Sequence, residues 1–135
     1  MSELAVGQEL SFEYKVQPKD LASELPLIEG EQYPAVFATS RMIALMELAA
    51  ARQLVPRQKE GELSVGVGVN ITHKAATLVG ETVKVTGRFL AQEGKLYRFA
   101  VIVEDGAGIA GEGEHTRAII AEQRLMDGAE KRKQG

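Results

Sequence analysis

The chain has 135 residues, enough for one domain with a core of its own, and its 44% hydrophobic content is that of a globular protein. A net charge of −3 and the absence of tryptophan give no reason to expect nucleic acid, and the absence of cysteine excludes disulfides and thiolate metal sites. The opening MSELAVGQELSF lacks the basic-then-apolar order of a signal peptide and no apolar run approaches the roughly 20 residues of a membrane helix, so the expectation is a cytoplasmic protein with no membrane partner.

Leu10 to Val16 alternates well enough for a short strand, which Pro18 ends. Residues 19–36 mix Pro, Glu and Gly with scattered apolar side chains and read as a loop or lid with a short helical turn. Thr39 to Leu54 (TSRMIALMELAAARQL) reads as a helix that Thr39 or Ser40 caps and Pro56 stops. It is apolar on nearly all sides, more than one small sheet can cover, so a second subunit is expected to help bury it.

Strands follow. In Leu63 to His73, Leu63, Val65, Val67, Val69, Ile71 and His73 share one parity, and Gly66 and Gly68 take the other. The next strand sets Val83, Val85 and Phe89 against Thr82, Lys84, Thr86 and Arg88. A turn at Glu93-Gly94 leads to Leu96–Val103, apolar on both faces as suits a central strand. Asp105-Gly106 begins another turn, and Ile109 to Ala121 is the last strand. The charged end is expected to fray, which gives a single domain over residues 1–125 and a flexible tail over 126–135. One helix followed by strands joined mainly by short turns predicts an α+β layout, an antiparallel sheet wrapped on the helix.

Glu47 is the only charged residue between Arg41 and Arg52, and Ile43, Ala44, Ala50 and Ala51, its helical neighbours, cannot pair with it. Three fates are open: it snorkels to solvent, it meets a distant arginine such as Arg88, Arg98 or Arg117, or it does chemistry. Buried without a cation, its pKa would rise and suit a general base or nucleophile. His73 ends the apolar parity of its strand and would point toward the same interior, as a core histidine or as an acid–base partner. Thr39 is a plain cap, or stands where helix-start amides receive a carbonyl oxygen. Eight residues separate it from Glu47, roughly 12 Å along a helix axis, so only a bound substrate or a subunit crossing would join them. Gly66 and Gly68 mark tight packing or the close approach of a ligand. His115 and Arg117 share a face of the last strand, where Arg117 either grips a phosphate or pairs with a carboxylate.

Gly106-Ala107-Gly108-Ile109-Ala110-Gly111 literally fits GxGxxG, but a strand-like run follows where a dinucleotide site needs a helix, so it reads as a hairpin turn. The two histidines do not form a metal motif, and no metal site is expected. Lys131-Arg132-Lys133 reads as solvated tail, at best an attraction for an anionic ligand.

The run VNITHKAATLVGETVKVTGRF resembles the pattern of hotdog-fold thioesterases, in which a curved antiparallel sheet wraps one long central helix and two subunits pair. VFATSRMIALMELAA, together with THKAAT and GEHTRAII, is most similar to the fluoroacetyl-CoA thioesterase group, over about Gly7 to Ile120 by pattern. The resemblance implies Thr39, Glu47 and His73 as catalytic residues, with Glu47 as nucleophile or base. It implies Gly66, Arg117, Tyr33 and Phe37 on the substrate side, and an acyl-CoA substrate with no cofactor beyond the CoA it carries. It implies a homodimer, or a dimer of dimers. Where that group has an aromatic lid, this chain has LIEGEQYPAVFA, with Tyr33 near one aromatic position and Gly30 at the other; Leu48 follows the helix glutamate in place of tryptophan. The implied reaction is thioester hydrolysis of a small or medium acyl-CoA, with an acyl group other than fluoroacetyl. A non-catalytic acyl-CoA binder and a hotdog enoyl-CoA hydratase or dehydratase are the alternatives.

Overall fold

A computed structural model describes residues 4–135. Strand β1 (Glu9–Lys15) leads through 3-10 turns at Pro18–Asp20 and Ala22–Glu24 to helix α1 (Thr39–Leu54). A further 3-10 turn, β2 (Glu62–His73), β3 (Thr82–Glu93), β4 (Leu96–Asp105), β5 (Gly108–Ala121) and helix α2 (Glu122–Gln134) follow. All pairings are antiparallel, in the order β1-β3-β4-β5-β2. The strand that is apolar on both faces, β4, is central, as its composition requires.

Helix α1 lies across the sheet and touches all five strands. Met42, Met46, Ala49 and Leu54 from the helix meet Val83, Val85, Phe89, Phe99, Val101 and Val103 from β3 and β4, all buried. Burying each large side chain of this kind is worth roughly 1.5–3 kcal/mol. At Gly87 of β3 an added Cβ would stand 3.0 Å from the backbone of Ala49, so the missing side chain is what seats the helix on the sheet. The layout is the hotdog one. Leu48 is 41% exposed and Val55 58%, so the sheet leaves part of the helix uncovered. Among the described residues no helix is long and apolar enough to cross a membrane.

Two expectations are corrected. The parity of β2 does not run unbroken, because a bulge between Gly66 and Gly68 leaves Val67 out of register with β5. Beyond the bulge Ile71 and His73 face the helix as expected. Before it the inward residues are Ser64 and Gly66, while Leu63 is 46% exposed. The end of the chain also differs: residues 122–134, which include most of the expected tail, form the exposed helix α2. The literal GxGxxG is a hairpin turn into β5, as expected. Its last glycine, Gly111, makes room for Met42, whose sulfur would collide with a Cβ there.

Candidate active site

The helix begins without a side-chain cap: Ala38 is the capping residue and no hydroxyl closes the first turn. Thr39 is thereby free for another partner, and its Oγ1 lies 2.6 Å from His73 Nδ1 at the end of β2. The other ring nitrogen, His73 Nε2, is buried with no hydrogen-bond partner among the described residues. A buried orphan of this kind is costly and is characteristic of a working site. A groove of about 320 Å³ opens here, lined by Pro34, Phe37, Thr39, His73, Lys74 and Ala75. Donors at the helix start, a hydroxyl and an imidazole thus share one groove, the arrangement that receives a carbonyl whose oxygen gains negative charge.

The helix start is fixed from below by Asp20, which is 1% exposed. Its carboxylate accepts from Tyr14 Oη at 2.5 Å, from the Gln17 amide at 2.9 Å and from Arg41 Nε at 3.0 Å. Its backbone carbonyl accepts from the amide of Ala38 at 2.9 Å. Burial pushes the carboxyl pKa up, but the hydrogen bonds from Tyr14, Gln17 and Arg41 together outweigh it and leave the pKa below its usual 3.8.

Glu47 takes part in a second cluster. Arg117 Nη1 donates to Glu47 Oε1 at 2.9 Å, so the acid that has no helical neighbour to pair with finds its cation on β5. The arginine side chain is 8% exposed and the glutamate 40%, which leaves the carboxylate open on one side. Glu47 is thus neither buried nor without a cation. Arg117 also donates to Ser64 Oγ and to the Ser64 carbonyl, each at 3.1 Å. Gly66 completes the arrangement, since a Cβ there would stand 2.8 Å from Glu47 Oε1.

His115 belongs to the same cluster, and its tautomer follows from its neighbours. Nδ1 lies 2.8 Å from the carbonyl of Gly68, which only accepts, so Nδ1 carries the proton. Nε2 then accepts from Arg117 Nη1 at 3.2 Å. Burial lowers the pKa of His115 below 6.5 by more than the Gly68 hydrogen bond raises it, and the adjacent Arg117 charge lowers it by more than Glu47 raises it. A neutral imidazole therefore holds Arg117 toward Glu47 and fastens the bulge that presents Gly66.

The residues expected at one site thus form two groups within a single chain: Thr39, His73 and Phe37 in one, and Glu47, Gly66 and Arg117 in the other. Gly66 and His73 are seven residues apart on β2, roughly 20 Å of extended strand. Tyr33 joins neither group; it is 49% exposed and donates to Glu31 at 2.7 Å. Ser64 and the positioning roles of His115 and Asp20 are additions. The two-residue spacing of His115 and Arg117 on one strand was the available signal for the first. Asp20 had none, because its partners come from three separate segments. Among the described residues no group of three His, Cys, Asp or Glu is placed to hold a metal.

The profile of the fluoroacetyl-CoA-specific thioesterase family matches residues 16–123. The chain belongs to that family. A fluoroacetyl-CoA thioesterase from Streptantibioticus cattleyicolor is 37% identical over 121 residues, which cover 87% of this chain and 86% of the relative. A solved variant of the fluoroacetyl-CoA-specific thioesterase, in complex with fluoroacetate and CoA, is 35% identical with a TM-score of 0.86, over 90% of this chain and 99% of that one. A hot-dog-like protein from Thermanaerovibrio acidaminovorans is 21% identical and shares the fold, with a TM-score of 0.83 over 96% of this chain and 93% of its own. In this thioesterase-family chain the uncapped helix carries Thr39 and Glu47, and the bulged edge strand carries Gly66 and His73.

Proposed function

We propose that this chain hydrolyses the thioester of a small or medium acyl-CoA, giving CoA and the free acid, at a site shared between two copies of the chain. The observation that carries the reading is the 2.6 Å contact of Thr39 with His73 at an uncapped helix start, with His73 Nε2 buried and unpartnered. The family's relatives, named for fluoroacetyl-CoA thioesterase activity, support the substrate class.

The thioester carbonyl sits at the start of α1, where the helix amides stabilise its oxygen as the tetrahedral intermediate forms. Glu47 of the second copy accepts the proton of the attacking water as the new C–O bond forms. Collapse breaks the C–S bond, and the proton taken up by Glu47 passes to the departing CoA sulfur, toward which His73 Nε2–H donates a hydrogen bond; Thr39 donating to Nδ1 keeps the hydrogen on Nε2. Arg117 holds the Glu47 carboxylate, and Gly66 leaves it room. Direct attack by Glu47 to form an anhydride uses the same geometry. Single turnover in oxygen-18 water distinguishes the two, because label enters the Glu47 carboxylate only along the anhydride path.

Two copies are invoked because β2 is an edge strand with an unpaired side, and Val67 and Val69 on it are 55% and 44% exposed. Antiparallel pairing of two β2 edges about a two-fold axis near Val69 and Asn70 sets Gly66 of each copy opposite His73 of the other. The acyl group differs from fluoroacetyl in this reading: the lid carries Gly30 and an outward Tyr33, and Leu48 follows Glu47. A cytoplasmic setting fits the cysteine-free chain. The test is a panel of short and medium acyl-CoAs. Turnover is expected to fall about 10²–10⁴-fold in Glu47→Gln, in the range of a lost general base. Saturable binding of every acyl-CoA with no turnover by the unmodified protein would sink the reading.

A further inference from the structure

Between His73 and Glu81 the connection from β2 to β3 is exposed except at Thr77, which is completely buried. Its apolar neighbours Leu78 and Val79 are 59% and 46% exposed, so a hydroxyl lies inside where two larger apolar side chains lie outside. A buried hydroxyl needs a partner. Thr77 Oγ1 has one, donating to Asp105 Oδ2 at 2.8 Å. Asp105 opens the turn of the β4–β5 hairpin, and its other oxygen accepts from the Ala107 amide at 2.8 Å. The same hairpin holds His73: Gly111 pairs with it, and the Ala110 carbonyl accepts from the amides of Lys74 and Ala75 at 2.7 and 3.1 Å. Thr77 also reaches the segment that carries Thr39. Its carbonyl accepts from the amide of Phe37 at 2.9 Å, two residues before the helix hydroxyl. The contacts close a ring, from His73 through the hairpin to Asp105, Thr77, Phe37 and Thr39, and from Thr39 Oγ1 back to the imidazole.

We propose that Thr77 and Asp105 are positioning residues whose hydrogen bond sets the separation of Thr39 from His73, an inference that rests on the thioesterase reading above. Neither side chain touches the reacting atoms. Asp20 ties the helix start to β1 through Tyr14, whereas Thr77 ties it to the segment and the hairpin that hold His73. Without the Thr77–Asp105 bond the helix start is no longer referred to that hairpin, and the 2.6 Å contact of Thr39 with His73 loses its register. A misplacement of about 1 Å in a reacting geometry costs on the order of 10²-fold in rate.

The experiment takes two readouts from the full chain: steady-state hydrolysis of acyl-CoA and the nitrogen-15 spectrum of the histidine rings. Thr39 donating to Nδ1 fixes one tautomer of His73, whose two ring nitrogens then have well-separated shifts; exchange between tautomers draws the shifts together. His73→Ala identifies the signals by their loss. Thr77→Val keeps the shape of the side chain and removes its donor. Its kcat is expected to fall about 10–100-fold with KM little changed, and the His73 signals to draw together. Thr77→Ser returns the hydroxyl and is expected to restore both readouts. Asp105→Ala removes the acceptor from the turn, has the same expected direction, and carries the test if Thr77→Val does not fold. Where both fold, the double variant is expected to lose no more than the worse single one, because the two groups act as a pair. A folded Thr77→Val with unchanged kcat and unmoved His73 signals would overturn the proposal, as would losses that multiply in the double variant. If the unmodified chain hydrolyses no acyl-CoA, the thioesterase reading falls by itself, and the nitrogen-15 spectrum still decides whether Thr77 sets the contact of Thr39 with His73.

Discussion

His115 is 1% exposed and neutral, and that state has a consequence for pH. Its pKa in the folded chain lies below 6.5. As pH falls through 6.5 the unfolded chain takes up a proton that the folded chain does not, so stability drops with pH until the folded value is reached. Protonation would also set an imidazolium against Arg117 and replace an acceptor with a donor. Chemical denaturation of His115→Phe is expected to show a flatter stability profile between neutral pH and pH 5 than the unmodified chain. Its turnover is expected to fall about tenfold, because Arg117 loses one of the groups that aim it at Glu47. His115→Gln returns an acceptor to Arg117 and should recover part of that turnover; if it does not, His115 is not positioning Arg117. At this scale the sequence was partly legible. Glu47 stood out as an acid without a helical partner, and Arg117 was one of three arginines that could meet it. What selected Arg117 was the bulge at Gly66, which turns Ser64 and Gly66 inward, and strict alternation conceals a bulge.

Helix α1 was legible to its end residues, since its apolar surface and the flanking Pro56 are local signals. Its cap was not: Thr39 has the chemistry of a capping residue, but His73, distant in sequence, claims its hydroxyl. Helix α2 was misread because its charged composition resembles a solvated tail. The same residues are good helix formers, and Lys131, Arg132 and Lys133 in its last turn complement the helix dipole. The anchor of α1 yields a prediction at the level of the element. Asp20→Ala leaves Tyr14 Oη, the Gln17 amide and Arg41 without their acceptor. The expected loss is about 2–3 kcal/mol, read from urea midpoints at unchanged slope. The folded pKa of Asp20 lies below 3.8, so its contribution is complete above that value and is lost as pH falls through the folded pKa. The stability difference between the unmodified chain and Asp20→Ala should therefore narrow in strong acid. A difference that persists unchanged there would assign the effect to packing rather than to the carboxylate.

For the whole molecule the decisive relation is the separation of His73 from Glu47 along β2. If each site takes Thr39 and His73 from one copy and Glu47 from the other, the dimer is the catalytic unit. Val69 lies close to the proposed two-fold axis, so Val69→Lys sets each new charge against its own symmetry copy. It also blunts an edge in the way that natural sheets avoid pairing. Sedimentation is expected to show a monomer with unchanged far-ultraviolet dichroism and no turnover, although every catalytic side chain is intact. A complementation experiment then tests the sharing directly. Glu47→Gln and His73→Ala chains, each inactive alone, are mixed, dissociated and reassociated. Each heterodimer has one site with an intact Glu47 and an intact His73, and one site with neither. Random pairing makes half the dimers mixed, so about a quarter of the unmodified turnover is expected. If each site lay within one chain, the mixture would contain no intact site and would stay inactive. Recovery of activity therefore assigns Glu47 to its partner's helix start, and its absence returns all three residues to one chain.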